Sequence, residues 1–277
     1  MFGNILTGVK SYDRDLSKYC RLLREYRNIP MLQYAKVFGQ FVENIRGKTA
    51  DPLVFKGSYL DENQLMQSLQ QKKKNTMTPN EQVQLHILHF LRLMLLYTLG
   101  NYDQAEVARK HMSQMQGEDG PMFDKPFQHA YIALNCFAMT RQCCFNKNRI
   151  KSRGYRKLVS HHVNIIRRMA QQTESPTYEA LSVLMQAESL ASSNTKNRQR
   201  ILEASETYQE AISLLARNQM YLLEASACER LAECLQHIEH DNPGRQELAL
   251  QQAWDKFEKV GAVAKLKYMR QPSWDGE

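Results

Sequence analysis

Glycine and proline are scarce in this chain, 12 and 8 of 277 residues, and that scarcity removes most of the turn chemistry on which β-rich folds depend. Long apolar runs are missing too. The longest, residues 85–99, is interrupted by His86, His89 and Arg92 and is shorter than the roughly 20 residues needed to cross a bilayer. It reads as a buried helix. The amino terminus starts apolar at Phe2, Ile5 and Leu6, but Lys10, Asp13, Arg14 and Asp15 follow at once, leaving no secretory h-region. The expectation is therefore a cytoplasmic or nuclear location, cytoplasmic by preference, with no membrane partner. The six cysteines, Cys20, Cys136, Cys143, Cys144, Cys228 and Cys234, have no C-x-x-C spacing and read as free, buried thiols of a reducing compartment.

What is present is helical periodicity. Ala204, Tyr208, Ala211, Ile212 and Leu215 fall at i, i+4, i+7, i+8 and i+11, one apolar stripe of an amphipathic helix. Leu223, Ala227, Leu231, Cys234 and Leu235 make a second stripe, and Leu250, Ala253, Trp254 and Phe257 make a third before Gly261. Alanine at contact positions lets neighbouring helices approach, and aromatic side chains fill the spaces between them. Ala211 and Ala227 are accordingly expected at helix contacts, with Ser226 on a different heading. With 43% hydrophobic and 24% charged residues, the chain has a folded rather than a disordered composition.

Further helices are predicted at 12–27 and 31–45, divided by Asn28-Ile29-Pro30, and at 61–74 after a loop at 47–58. Thr78-Pro79-Asn80-Glu81 supplies a capping residue, proline in the first turn and Glu three residues after the cap, which opens a long helix to Leu99. Gly100-Asn101-Tyr102 turns it into a return helix bearing Ala105 and Ala108. Helices are also expected at 127–140, 155–171, 178–191, 198–217, 222–237 and 246–260. The organisation read from this is an amino-terminal helical segment with one hairpin (1–116), a Gly- and Pro-containing loop (117–126), a carboxy-terminal helical-repeat segment (127–271) and a frayed tail (272–277), unless the two segments form one continuous solenoid. The fold class is all-α, an α-solenoid or tetratricopeptide-like helical array.

Leu184, Ala187-Glu188, Ala204, Tyr208, Ala211-Ile212, Leu223-Glu224-Ala225-Ser226-Ala227-Cys228-Glu229, Ala253, Phe257 and the run from Val260 to Lys265 occur in an order that resembles the helical-repeat region of large multi-domain signalling proteins. Those proteins join a Ser/Thr-kinase-like domain, a STAND-class ATPase domain, tetratricopeptide-like repeats and sensor, histidine-kinase or cyclase domains. Asp51-Pro52-Leu53 with Phe55 and Gly57 resembles a loop earlier in that region. The resemblance implies a protein-interaction and signal-relay module whose partner is an ATPase or kinase component. Their catalytic domains are not matched, and without a G-x-x-x-x-G-K-[ST] phosphate loop ATP hydrolysis is not implied.

Charge is uneven along the chain. Lys147, Arg149, Lys151, Arg153, Arg156, Lys157, Arg167 and Arg168 fall in a window without Asp or Glu, and the 29 other basic residues balance the 29 acidic ones. These eight are the candidate partner-binding residues, read as a basic loop leading into a helix at Tyr155. The alternatives are a merely solvated face and a nucleic-acid surface. Tyr155 is the only aromatic after Phe145 in the basic loop, which gives base stacking little support. His86 and His89 share a helix face, and Cys234, His237 and His240 recur every three residues, but no second cluster completes a zinc site. Cys143-Cys144 beside the basic run fits an activated thiol, with His161-His162 as the nearest base. No cofactor, metal or catalytic residue is assigned on this reading.

Overall fold

A computed structural model of the protein describes residues 9–70, 77–114, 125–193, 197–236 and 244–269. Of these residues 85% are helical and none lies in a strand; a single antiparallel bridge joins Lys56 and Asp61. The described helices are α1 (Val9–Glu25), α2 (Ile29–Ile45), α3 (Glu62–Gln70), α4 (Pro79–Thr98), α5 (Tyr102–Gln114), α6 (Lys125–Phe145), α7 (Arg149–Thr173), α8 (Pro176–Ser193), α9 (Arg198–Arg217), α10 (Tyr221–Leu235), α11 (Gly244–Val260) and α12 (Val263–Met269). They form two compact units, one from Met1–Asp124 with Gly261–Glu277, the other from Lys125–Val260. The division falls inside the loop expected at 117–126. Residues 261–269, which include α12, group with the first unit. The anticipated frayed tail at 272–277 lies outside the described residues.

One chain reversal recurs in both units. Arg27, Gly100, Lys147 and Gln219 all adopt positive φ, between 51° and 82°, at the position just past a helix end. The amide of each donates to a carbonyl three residues back, and the next amide reaches five residues back, as in Lys147 to Cys144 at 3.2 Å and Asn148 to Cys143 at 2.8 Å. This double bond satisfies carbonyls the ending helix would leave orphaned. In three cases the following residue is asparagine, and its side chain accepts from the next helix: Asn28 from Met31, Asn101 from Gln104 and Asn148 from Lys151, all at 3.2–3.3 Å. A three-residue connection thus ends one helix and starts its return partner.

In the first unit α1 packs on α2, α2 on α4, α4 on α5, and α12 on α2. The Thr78–Glu81 capping box forms in both directions. Behind α2 the loop at 47–61 is held by buried polar side chains in addition to its own backbone bonds, such as the Gly57 amide to the Leu60 carbonyl at 3.0 Å. Asn44 donates to the Pro52 and Val54 carbonyls at 2.9 and 2.6 Å and accepts from Gln40 at 2.8 Å, while Gln40 and Glu43 accept the Leu60 and Ser58 amides. Gly39 lets this loop approach, since a Cβ there would lie 2.7 Å from the Tyr59 ring.

In the second unit each helix from α6 to α11 packs on the next, and α6 also packs on α8. Ala204, Ala211, Ala227 and Ala253 are all buried at these contacts, and Tyr131, Tyr208 and Phe257 are enclosed among them. The second stripe is wider than its sequence suggests. Helix α10 is packed against both α9 and α11, and Ser226 is buried as well, donating to the Leu222 carbonyl at 3.0 Å. A helix covered on two sides leaves no solvent heading for the off-stripe serine.

Candidate functional site

The α6–α7 hairpin carries all eight candidate residues, and all eight are exposed: Lys147, Arg149, Lys151, Arg153, Arg156, Lys157, Arg167 and Arg168. The expectation of a basic loop followed by a helix at Tyr155 is corrected, because α7 starts at Arg149. Asn148 supplies the cap, and Gly154 sits inside the helix, where a Cβ would meet nothing within 4 Å. At about 100° per residue, Arg149, Arg153, Arg156, Lys157, Arg167 and Arg168 fall within an arc of roughly 120°. Lys151 stands on the opposite flank, across the strip where Ser152, Val163 and Ile166 are buried.

The acid-free window is longer than the basic run. No Asp or Glu occurs from residue 125 to residue 173, so the whole hairpin, including Lys125 and Arg141 on α6, lacks a carboxylate of its own. Its turn also presents two apolar side chains to solvent: Phe145 is 89% exposed and Ile150 is 88% exposed. Reading only the density of Lys and Arg misses both features. The signal for the first is the missing Asp and Glu upstream of residue 146, whereas the second depends on where the two helices end.

Beside the turn, Cys143, Cys144, Lys147, Arg149, Ser152, Arg153 and Arg156 line an open cleft of about 600 Å³. Cys144 is exposed while the other five cysteines are buried, so the expectation of buried thiols holds for all but this one. The Arg156 guanidinium donates toward Cys144 Sγ at 3.8 Å, and Ser152 Oγ lies 3.7 Å from the same sulfur. In contrast, burial pushes the Cys228 thiol up to about 12 and the Cys234 thiol up to about 11, which keeps them protonated and inert.

Three histidines share this hairpin. His129 Nδ1 and His162 Nδ1 are 2.8 Å apart, and the His161 and His162 rings lie 5.0 Å apart. Burial, with His161 and Lys125 adding to it, lowers the His129 pKa. Helices α4 and α5 bring His89 against His111, with ring centroids 4.9 Å apart. His89 is buried, and burial first, then His111, Arg92 and His86, push its pKa down to about 3. Among the described residues no group of His, Cys, Asp and Glu is arranged to hold a metal ion; His237 and His240 lie outside them.

His89 therefore sets an acid limit for the first unit. Its folded pKa is below its ordinary value of 6.5, so the unfolded chain binds the proton more readily, and stability falls as pH drops from about 6.5 toward about 3. His89→Leu should flatten this slope. Urea unfolding at pH 7 and pH 5, followed through hydrogen-exchange protection of α4 amides, should show a smaller loss in the variant than in the wild type; parallel losses would remove His89 as the cause.

Among the described residues no helix is long and apolar enough to cross a membrane. Set against known protein families, curated proteins and solved structures, the chain matches none of them.

Proposed function

We propose that this protein is a non-enzymatic interaction module of tetratricopeptide-like, solenoid character that relays signals by docking an acidic protein surface on the α6–α7 hairpin. The observation that carries the reading is the combination at the turn. Six cations share one arc of α7, no carboxylate interrupts them from residue 125 to residue 173, and Phe145 and Ile150 project beside them. Arginine around exposed aromatic and aliphatic anchors is the composition of protein interfaces, whereas cations alone would suit phosphates. Tyr155 is half-buried, which leaves nucleic acid the weaker alternative. The resemblance of residues 178 onward to the repeat region of multi-domain signalling proteins makes an ATPase or kinase component the partner we favour, in the cytoplasm. The docking argument is the same whether such a component is joined to this chain or separate from it.

The test uses the geometry of the arc. Arg153, Arg156 and Lys157 changed together to Glu should leave helix content and melting nearly intact, because exposed charges contribute little to stability. The same triple should lose most capture of the partner from cell extract, and capture should survive added RNA and moderate salt. Lys151→Glu, on the other flank, should retain most of it. Equal capture by wild type and triple variant would overturn the proposal, and capture abolished by RNA or any polyanion would transfer it to nucleic acid.

A further inference from the structure

We infer that Cys144 is a modification site for small anionic disulfides, recruited by the four cations that surround it. Three features of the cleft combine. The thiol is the one exposed sulfur among six cysteines; the cleft, at about 600 Å³, is in the size range of small-molecule sites; and its charged lining is Lys147, Arg149, Arg153 and Arg156 with no carboxylate. Arg156 already reaches Sγ at 3.8 Å, and buried Ser152 sits at 3.7 Å from the same atom. The neighbouring Cys143 is buried, which makes Cys144 the entry point for reagents from solvent.

A cleft lined by one sign of charge concentrates ions of the other sign and raises their encounter rate. The matching reagent is a disulfide bearing carboxylates, such as that of a small acidic peptide thiol. In the exchange, the Cys144 thiolate attacks one sulfur of the disulfide, a new protein-to-reagent S–S bond forms, and the original S–S bond breaks. The departing thiolate takes up the proton that Cys144 released. The protein thiol is oxidised, half of the reagent is reduced, and no other oxidant is needed. The attached carboxylates then stay within reach of the arginines.

The inference stands apart from the partner proposal, since it concerns a covalent adduct read out without any partner. The intact protein is treated separately with glutathione disulfide, which is net anionic, and cystamine, which is net cationic. Adduct formation is followed by mass spectrometry with site mapping, and each rate is divided by the rate of N-acetylcysteine with the same reagent. Wild type should be modified first at Cys144 and should prefer the anionic reagent by at least about tenfold at low salt. High salt should erode that preference. Arg153→Gln with Arg156→Gln should reduce it several-fold while keeping the same helix content, and a milder single Arg156→Gln variant gives an intermediate value if the double variant folds poorly. Cys144→Ser should abolish the fast adduct. First modification at another cysteine, equal normalised rates for the two reagents, or a preference unchanged by both arginine variants would overturn the inference.

Discussion

Glu188→Ala should unfold the second unit more readily than any exposed substitution, by about 3–5 kcal/mol, the usual cost of stripping one partner from a buried ion pair. Glu188 on α8 is wholly buried. Arg141 of α6 donates to one carboxylate oxygen at 2.7 Å, Arg230 of α10 donates to the other at 3.1 Å, and Arg230 also pairs with Glu233. Tyr208 of α9 lies beside the carboxylate, and it too is buried. A single side chain thereby ties together four helices of the unit. Without it, two guanidinium groups lose the carboxylate they share in a site largely closed to water, and no nearby apolar group can compensate.

The pH dependence follows from the same geometry. Burial alone would raise the Glu188 pKa, but Arg141 and Arg230 outweigh it and hold the carboxyl below its ordinary range. A folded pKa below the unfolded one gives stability that is complete above the unfolded value, and it is lost as pH falls through the folded one. Glu188→Gln should therefore be destabilised at neutral pH and should lose less on further acidification than the wild type. Trp254, half-buried on α11, reports this unit by fluorescence in a Trp274→Phe background. A midpoint for Glu188→Ala within about 0.5 kcal/mol of wild type, the range of ordinary surface changes, would show that the pair does not hold these helices.

The stripes make most of the helices legible and this network illegible, for related reasons. Apolar periodicity reports which residues avoid water, so Ala204, Tyr208 and Ala211 are buried as their spacing requires. Glu188 and Arg230 interrupt apolar patterns as surface residues do; only the meeting of α6, α8 and α10 reveals that they neutralise each other. Local capping chemistry is equally readable at Thr78 and Glu81, where every partner lies within four residues. It is misleading at Arg149, because a dense run of cations around Gly154 resembles a loop while the decisive groups are Lys147 in the left-handed conformation and the Asn148 cap. The exposed Cys144 is hidden for the opposite reason. Adjacent cysteines look alike in sequence; at the end of α6 both border the basic cleft, but Cys143 is buried and Cys144 is exposed.

Asn44→Leu should produce the second large effect, confined at first to the loop at 47–61 of the other unit. Leucine keeps the branching and the number of side-chain heavy atoms, though its methyl groups are bulkier, and it removes both donors that hold the Pro52 and Val54 carbonyls and the acceptor that Gln40 uses. A buried polar group left without its partner costs about 1–3 kcal/mol; the Pro52 carbonyl and the Gln40 amide lose the Asn44 bond, while the Val54 carbonyl keeps the Lys56 amide at 2.8 Å. From Asp51 on, the loop's own bonds are the Lys56–Asp61 bridge and short-range backbone bonds, none of which ties it to α2. Gln40 and Glu43 accept the Leu60 and Ser58 amides, and Asn44 keeps Gln40 in place. We expect the Ser58 and Leu60 amides to exchange at least about tenfold faster, corresponding to loss of roughly 1.4 kcal/mol of local protection, while amides in the middle of α4 slow or quicken only with global stability. Uniform acceleration across α2, α4 and the loop would mean that Asn44 supports the whole unit, and unchanged exchange at Ser58 and Leu60 would mean that the loop is held by its apolar contacts at Phe55.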